Sequence, residues 1–188
     1  MELLPTRLEG PLLIAPPVFG DERGFFAETY RRSTFAELGV VEEMVQHNHS
    51  RSRRGTIRGM HFQIGAGASK LVRCARGAIV DVLVDVRRGS PTFGEWEAFE
   101  LTDERLHVLY APIGFAHGFC VLSDVADVVY QQSGYYSSEV ERGFSLDDPD
   151  VAIDWPIAAS ERIVSERDLS APRLSEIAGA LPFEYESR

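Results

Sequence analysis

Residues 78–86 alternate so strictly that only an extended strand sorts them cleanly. Ala78, Val80, Val82, Val84 and Val86 make one wholly apolar face, and Asp81 and Asp85 lie on the other. Side chains change face at every residue of a strand, whereas a helix would spread these five around its surface. A lone strand cannot bury such a face. The chain supplies partners: strand-like runs recur at 25–30, 40–50, 54–63, 70–74, 96–101, 107–111, 117–122 and 125–132. Turn chemistry separates several of them, in Arg88-Gly89-Ser90-Pro91, Thr102-Asp103 and Pro112-Ile113-Gly114. Many short strands with regular turns predict an all-β sandwich or barrel.

Helical signals are few. Residues 34–38 suit a short helix capped by Ser33 and stopped by Gly39, and 173–180 suit another. The second lies in a tail, 156–188, that Pro156 and Pro172 break up, and an irregular, partly helical segment is expected there. At the other end, Leu12-Leu13-Ile14-Ala15 runs into Pro16-Pro17, which suits an edge strand or an arm. Asp21-Glu22-Arg23-Gly24 then signals a turn, and Phe26, Glu28 and Tyr30 share one face of the strand that follows. A length of 188 residues suits a single domain, 1–188, with 1–30 as its edge or arm.

The formal net charge is −10, with acidic residues scattered along the chain. That argues against a general nucleic-acid or anionic-membrane binder and leaves room for a local basic pocket that takes a small anion. Cys74 and Cys120 each sit in apolar, strand-like runs and are expected as buried free thiols in a reducing compartment. With no basic segment leading into an apolar run and no span long enough for a bilayer, a cytoplasmic location is expected.

Chemistry concentrates first in Arg54-Gly55-Thr56-Ile57-Arg58-Gly59-Met60-His61-Phe62-Gln63. A regular strand would point Arg58 and His61 to opposite faces. If both serve one pocket, a β-bulge near Gly59 has to re-aim one of them. A lone histidine is otherwise a core residue bonded to a carbonyl. His47 and His49 form a His-x-His pair on the strand face opposite Gln46, Asn48 and Ser50. Such a pair marks a metal site when a carboxylate follows closely. Here a run of arginines follows instead, and no metal is expected. Lys70 shares a face with Val72 and Cys74: inward, it can neutralise a developing negative charge; outward, it reaches solvent. Tyr130, Tyr135 and Tyr136 can donate a proton or stack on a base, or simply pack. His117 lies where a turn runs into a strand, and Asp168 reads on its own as a turn residue or helix cap.

Taken together, these motifs resemble the dTDP-4-dehydrorhamnose 3,5-epimerase family. The pieces are Asp21-Glu22-Arg23-Gly24-Phe25-Phe26-Ala27-Glu28, Gln46-His47-Asn48-His49-Ser50, Arg58-Gly59-Met60-His61-Phe62-Gln63 and Lys70-Leu71-Val72-Arg73. They continue with Asp81 to Asp85 followed by Gly89-Ser90-Pro91-Thr92-Phe93-Gly94, then Gly114-Phe115-Ala116-His117-Gly118-Phe119, Tyr135-Tyr136, Asp147-Asp148-Pro149 and Trp155-Pro156. The resemblance runs from about residue 21 to 172. It implies a cupin-type β-sandwich or jelly-roll barrel that works without metal or cofactor on a dTDP-4-keto-6-deoxyhexose.

By that resemblance His61 is the base that removes protons next to the ketone, with Asp168 orienting it. Lys70 would stabilise the enolate, and Tyr130 would return a proton from the opposite face. Arg58 would hold the diphosphate, and Gln46, Asn48, His117, Glu141 and Arg167 would surround the nucleotide sugar. Tyr136 would stack on thymine. Arg23, Phe26 and Glu28 would reach a neighbouring subunit's site, which implies a homodimer. Three positions depart from the family pattern. Gln131 stands where lysine is usual, Ser133-Gly134 where Thr-Asp is usual, and Leu146 where tryptophan is usual, all expected near the proton donor and thymine side. Inversion at carbons 3 and 5 is the leading expectation; inversion at carbon 3 alone and binding without turnover are the alternatives.

Overall fold

The computed structural model describes residues 1–186. In chain order the strands are β1 (Glu2–Leu4), β2 (Leu12–Ala15), β3 (Val18–Asp21), β4 (Gly24–Ala27), β5 (Gln46–Arg53), β6 (Ile57–Gln63) and β7 (Lys70–Arg76). Then follow β8 (Ala78–Asp85), β9 (Trp96–Thr102), β10 (Val108–Ala111), β11 (Phe115–Val121), β12 (Val125–Gln132) and β13 (Glu141–Gly143). Three short helices are α1 (Arg32–Glu37), α2 (Glu166–Leu169) and α3 (Leu174–Ile177). One sheet has the order β1-β2-β10-β7-β12-β5 and the other β13-β6-β11-β8-β9; β3 and β4 form a separate hairpin. The two large sheets face each other as a sandwich, the expected cupin-type arrangement.

The core is layered. Val72 and Cys74 of β7, Leu109 of β10 and Val128 of β12 pack against Ile79 and Leu83 of β8 and Phe119 of β11, filling the space between the sheets. A second apolar layer covers the outside of the five-stranded sheet, where Val82, Val84 and Val86 meet Trp155, Leu174, Leu181 and Phe183 of the C-terminal tail. A third covers the other sheet, where Phe35 of α1 and Val40 pack on Ile14, Leu71, Val108 and Tyr110. Each such side chain contributes about 1.5–3 kcal/mol when fully buried. The valine face of β8 therefore packs on the tail. Its opposite face, Ile79, Asp81, Leu83 and Asp85, looks into the sandwich, and both aspartates are fully buried.

Some local expectations are corrected. Leu12–Ala15 lies one strand in from the edge, because β1 pairs outside it. Ser33 lies inside α1, and the cap position is Arg31, which makes no side-chain cap bond. The strand expected at 25–30 ends at Ala27, and the C-terminal helix is a single turn followed by a 3-10 turn, Ala178–Ala180. Residues 187–188 of the expected tail lie outside the described residues. Cys74 and Cys120 are buried free thiols, and burial pushes both up to about 11. No helix among the described residues is long and apolar enough to cross a membrane.

Candidate active site

A cavity of about 510 Å³ opens into the sandwich. Arg58 and His61 of β6 and His117 of β11 line it from one sheet; Lys70 of β7 and Tyr130 of β12 line it from the other. Glu141 of β13, Tyr136 in the loop before it, and Arg167 and Asp168 of α2 complete its wall. A neighbouring cavity of about 550 Å³ shares His61, Glu141, Arg167 and Asp168 and, apart from Arg142 and Ser170, is otherwise lined by glycines and apolar residues such as Met60, Phe144 and Leu181. It lacks Arg58, Lys70 and Tyr130. The chemistry belongs to the first.

The alternation of β6 does break where Arg58 and His61 need it to. His61 pairs with His117, and Arg58 pairs with Phe119, so three steps along β6 match two along β11. That register shift is a β-bulge, and it brings both side chains to one cavity. Gly59 sits in the bulge with φ of +140°, a conformation that side-chain-bearing residues rarely adopt, and the Gly59–Met60 peptide is cis.

His61 and Asp168 meet across 107 positions of sequence, with His61 Nε2 2.7 Å from Asp168 Oδ1. Burial of Asp168 would raise its pKa. The His61 bond and charge, the Gly59 N–H and Ser165 outweigh that and hold the carboxyl below its usual range. A carboxylate only accepts, so Nε2 carries the proton it donates and Nδ1 is left with its lone pair. Ser165 caps α2 by accepting from the Asp168 N–H. A four-residue helix thus delivers a carboxylate to an imidazole on a distant strand.

Lys70 faces inward, and burial lowers its pKa while Glu141 and Asp81 oppose the drop. Its Nζ lies 3.4 Å from His117 Nδ1. His117 Nε2 lies 2.9 Å from Asp81 Oδ2. Burial also lowers the His117 pKa, although Asp81 pulls the other way. The neutral ring donates Nε2–H to Asp81 and accepts from the Lys70 ammonium at Nδ1. Asp81, the far end of this chain of contacts, went unassigned in the sequence reading. The available signal was a carboxylate set in the alternation of a strand too apolar to be solvated on either side.

Tyr130 reaches the cavity from β12, and burial followed by the Glu141 charge raises its pKa, keeping the phenol protonated. Arg58 gives two of its five N–H groups to Ser52 Oγ, each at 3.1 Å. Glu141 pairs with Arg167 and accepts from Tyr136 OH at 3.2 Å. Gln46 Oε1 accepts from the Tyr136 N–H, and Gln46 Nε2 donates to Asn48. These two therefore brace the Tyr136 loop rather than line the cavity. Ser50 was also missed: it lines the cavity, and its buried Oγ has no hydrogen-bond partner. The regular alternation of Gln46, Asn48 and Ser50 was the clue.

Arg23, Phe26 and Glu28 do not join this cavity. Arg23 is paired with Asp21 at the tip of the β3–β4 hairpin, Phe26 is 69% exposed, and Glu28 is paired with Arg31. His47 and His49 lie on the outer face of β5, where His49 and Arg51 pair with the buried Asp127. The departures also fall outside the cavity wall. Leu146 is fully buried beside Trp155, whose Nε1–H donates to its carbonyl. Gln131 points to the outer side of β12, and Ser133 accepts from the Ser69 N–H. Only the Ser133 turn adjoins the cavity, through Gln132, which donates to the Gly134 carbonyl.

Comparison with known proteins places the chain among its relatives. The family model described as dTDP-4-dehydrorhamnose 3,5-epimerase matches residues 5–176. A dTDP-4-dehydrorhamnose 3,5-epimerase from Shigella flexneri is 43% identical over 175 residues, covering 92% of this chain and 96% of that one. A dTDP-4-dehydrorhamnose 3-epimerase from Streptomyces niveus is 42% identical over 186 residues, covering 97% and 89%. The crystal structure of a dTDP-6-deoxy-D-glucose-3,5-epimerase from Legionella pneumophila, in complex with dTDP-4-keto-L-rhamnose, superposes with a TM-score of 0.95. It is 40% identical and covers 99% of each chain. On its fold and its sequence, the chain belongs to the dTDP-4-dehydrorhamnose 3,5-epimerase family.

Proposed function

We propose that this protein epimerises a dTDP-4-keto-6-deoxyhexose at carbons 3 and 5. The observation that carries the reading is the His61–Asp168 bond, placed on one sheet opposite Lys70 and Tyr130 on the other. His61 Nδ1 takes the proton from a carbon next to the ketone; the C–H pair becomes the carbon–carbon double bond of an enolate as the carbonyl π pair moves onto the ketone oxygen. Asp168 offsets the charge that appears on the imidazole. The Lys70 ammonium, held by His117, faces the oxygen where enolate charge develops. Tyr130 then gives its phenol proton to the carbon from the far face as the enolate returns to ketone, which inverts the centre. Solvent restores both groups. Proton transfers alone complete the chemistry, so the mechanism calls for no cofactor.

Arg58 suits a diphosphate oxygen, since its fork keeps donors free beside Ser52. Tyr136, Glu141 and Arg167 hold the nucleotide. The β3–β4 hairpin, with Phe19, Phe25 and Phe26 all more than 60% exposed, is the contact surface of a homodimer. From it Arg23, Phe26 and Glu28 enter the partner's cavity. Two free thiols suit a reducing cytoplasm.

Incubation with dTDP-4-keto-6-deoxyglucose in deuterated buffer tests the reading. Deuterium at carbons 3 and 5 is expected. Deuterium at carbon 3 alone selects the 3-epimerase reading, the activity for which the Streptomyces niveus relative is named. Nucleotide binding with no exchange would sink both.

A further inference from the structure

At the bulge, β6 is gripped by neighbours that approach more closely than side chains permit. On the β11 side a Cβ on Gly118 would lie 2.7 Å from Met60 Sδ and 2.9 Å from the Arg58 carbonyl oxygen. On the β13 side Gly143 is the ladder partner of His61. A Cβ there would run into the Met60 carbonyl oxygen and lie 3.2 Å from His61 Cδ2. Real Cβ atoms essentially never come within 3.0 Å of such neighbours. Gly143, unlike Gly59, has no positive φ, so its backbone conformation would accept alanine. Space alone excludes a side chain. The imidazole atom that rests against it, Cδ2, is bonded to Nε2, the nitrogen that donates to Asp168.

We propose that Gly143 is a positioning residue for the reaction. By carrying no side chain it lets the His61 ring lie flat against β13, with Nε2 on Asp168 and Nδ1 aimed into the cavity; Gly118 holds the other flank of the bulge. A methyl at 143 has to displace the Met60 carbonyl, the group that leads into His61, and it presses on the ring as well. Either shift moves Nδ1 by a fraction of an ångström relative to Lys70 and Tyr130, which are fixed on the opposite sheet. The inference rests on the epimerase reading for its kinetic consequence and on geometry alone for its spectroscopic one.

The decisive comparison is Gly143→Ala against Gly77→Ala in the full-length protein. Gly77 lies in the β7–β8 turn, away from the cavity, where a Cβ would collide with Ser123 Oγ and the Val125 carbonyl oxygen. The two variants therefore carry a similar steric conflict at different places, and Gly77, at φ of +80°, adds backbone strain that makes it the harsher control for stability. Turnover is counted per dTDP-binding site, so unfolded molecules do not enter. Gly143→Ala is expected to lose about 100-fold in kcat with KM little changed, the effect of a misplaced reacting group. The downfield proton resonance of the His61–Asp168 bond should shift or vanish with it. Gly77→Ala should lower Tm and keep both kcat and that resonance. If Gly143→Ala binds no dTDP, Gly118→Ala decides, because its methyl first meets the movable Met60 sulfur; about a tenfold loss in kcat is expected. Wild-type kcat in whichever variant folds, or an equal loss in Gly77→Ala, overturns the proposal. A wild-type protein without exchange would defeat the epimerase reading instead, while the resonance would still report on Gly143.

Discussion

His61 is made useful by what its two nitrogens meet. Asp168 occupies Nε2 and leaves Nδ1 to the cavity, so His61→Ala should abolish deuterium exchange while circular dichroism stays near wild type and Tm falls, because the buried Asp168 carboxylate loses its partner. Retained exchange in that variant would remove His61 from its role. Lys70 depends on a second imidazole in the same way. In Asp81→Asn the amide can turn its nitrogen toward His117 Nε2, which forces Nδ1 to carry a proton and face the Lys70 ammonium donor to donor. Turned the other way, it buries an amide nitrogen where the unpartnered Asp81 Oδ1 now lies. Both outcomes loosen the ammonium, and the lost carboxylate charge no longer supports it. The Lys70 pKa, already lowered by burial, falls further. Expected, therefore, is a kcat loss of at least tenfold, short of the roughly 10²–10³ that removing an oxyanion donor costs, with the alkaline limb of the kcat–pH profile moved to lower pH. An unmoved limb would show that Asp81 does not govern Lys70. His61, Lys70 and Tyr130 could be picked from the sequence because their motifs stand in order. Asp81 was harder to pick, because the apolar strand around it marks it as buried but gives no sign of the histidine it meets there.

At the level of elements, the site hangs on the shortest ones. α2 has four residues and cannot persist by its own hydrogen bonds. Ser165 Oγ accepts from the Asp168 N–H, and its loss should cost about 1 kcal/mol. Ser165→Ala is expected to lower Tm by a few degrees and kcat by more than the stability loss explains, as Asp168 drifts from His61; unchanged kcat would mean that the tail holds α2 without its cap. The β3–β4 hairpin is the other exposed element. Under the proposed homodimer, replacing Phe19 and Phe25 by serine should give a monomer in sedimentation experiments and raise KM, since Arg23 and Glu28 would no longer reach a partner's cavity. A dimer that survives both changes would place the interface elsewhere. Long alternating strands such as β8 and β5 were legible from period two. β1, β13 and α2, at three or four residues each, carry too few positions to show any period and exist because longer neighbours offer them partners. The bulge was legible only as a conflict of parity between Arg58 and His61, and the glycine at 143 that accommodates it gave no local sign.

Over the whole molecule, the two sheets each bring half of the chemistry, so their registry matters as much as any residue. One buried ion pair ties that registry to both ends of the chain. Arg87 donates to Asp85 and to the Glu9 carbonyl, and its guanidinium stacks over Phe115 and Tyr185. Asp85 also accepts from Ser90 and Thr92. Burial alone would raise the Asp85 pKa, but these donors, Arg87 foremost, hold it below the usual carboxylate range. A group depressed in this way contributes stability that is fully present above its unfolded pKa of about 3.9 and is lost as pH falls through the lower folded value. Asp85→Asn removes the charge at every pH and leaves Arg87 buried without its partner, at a cost of about 3 kcal/mol near neutrality. At about 2–4 °C per kcal/mol for a chain of this length, Tm should fall clearly at pH 7. The same comparison at pH 3 and below should show the gap narrowing, because the wild-type carboxylate is then being protonated as well. A gap of constant size from pH 7 to pH 2.5 would mean that Asp85 acts through its shape and hydrogen bonds, and that its charge adds nothing to the joining of the two ends.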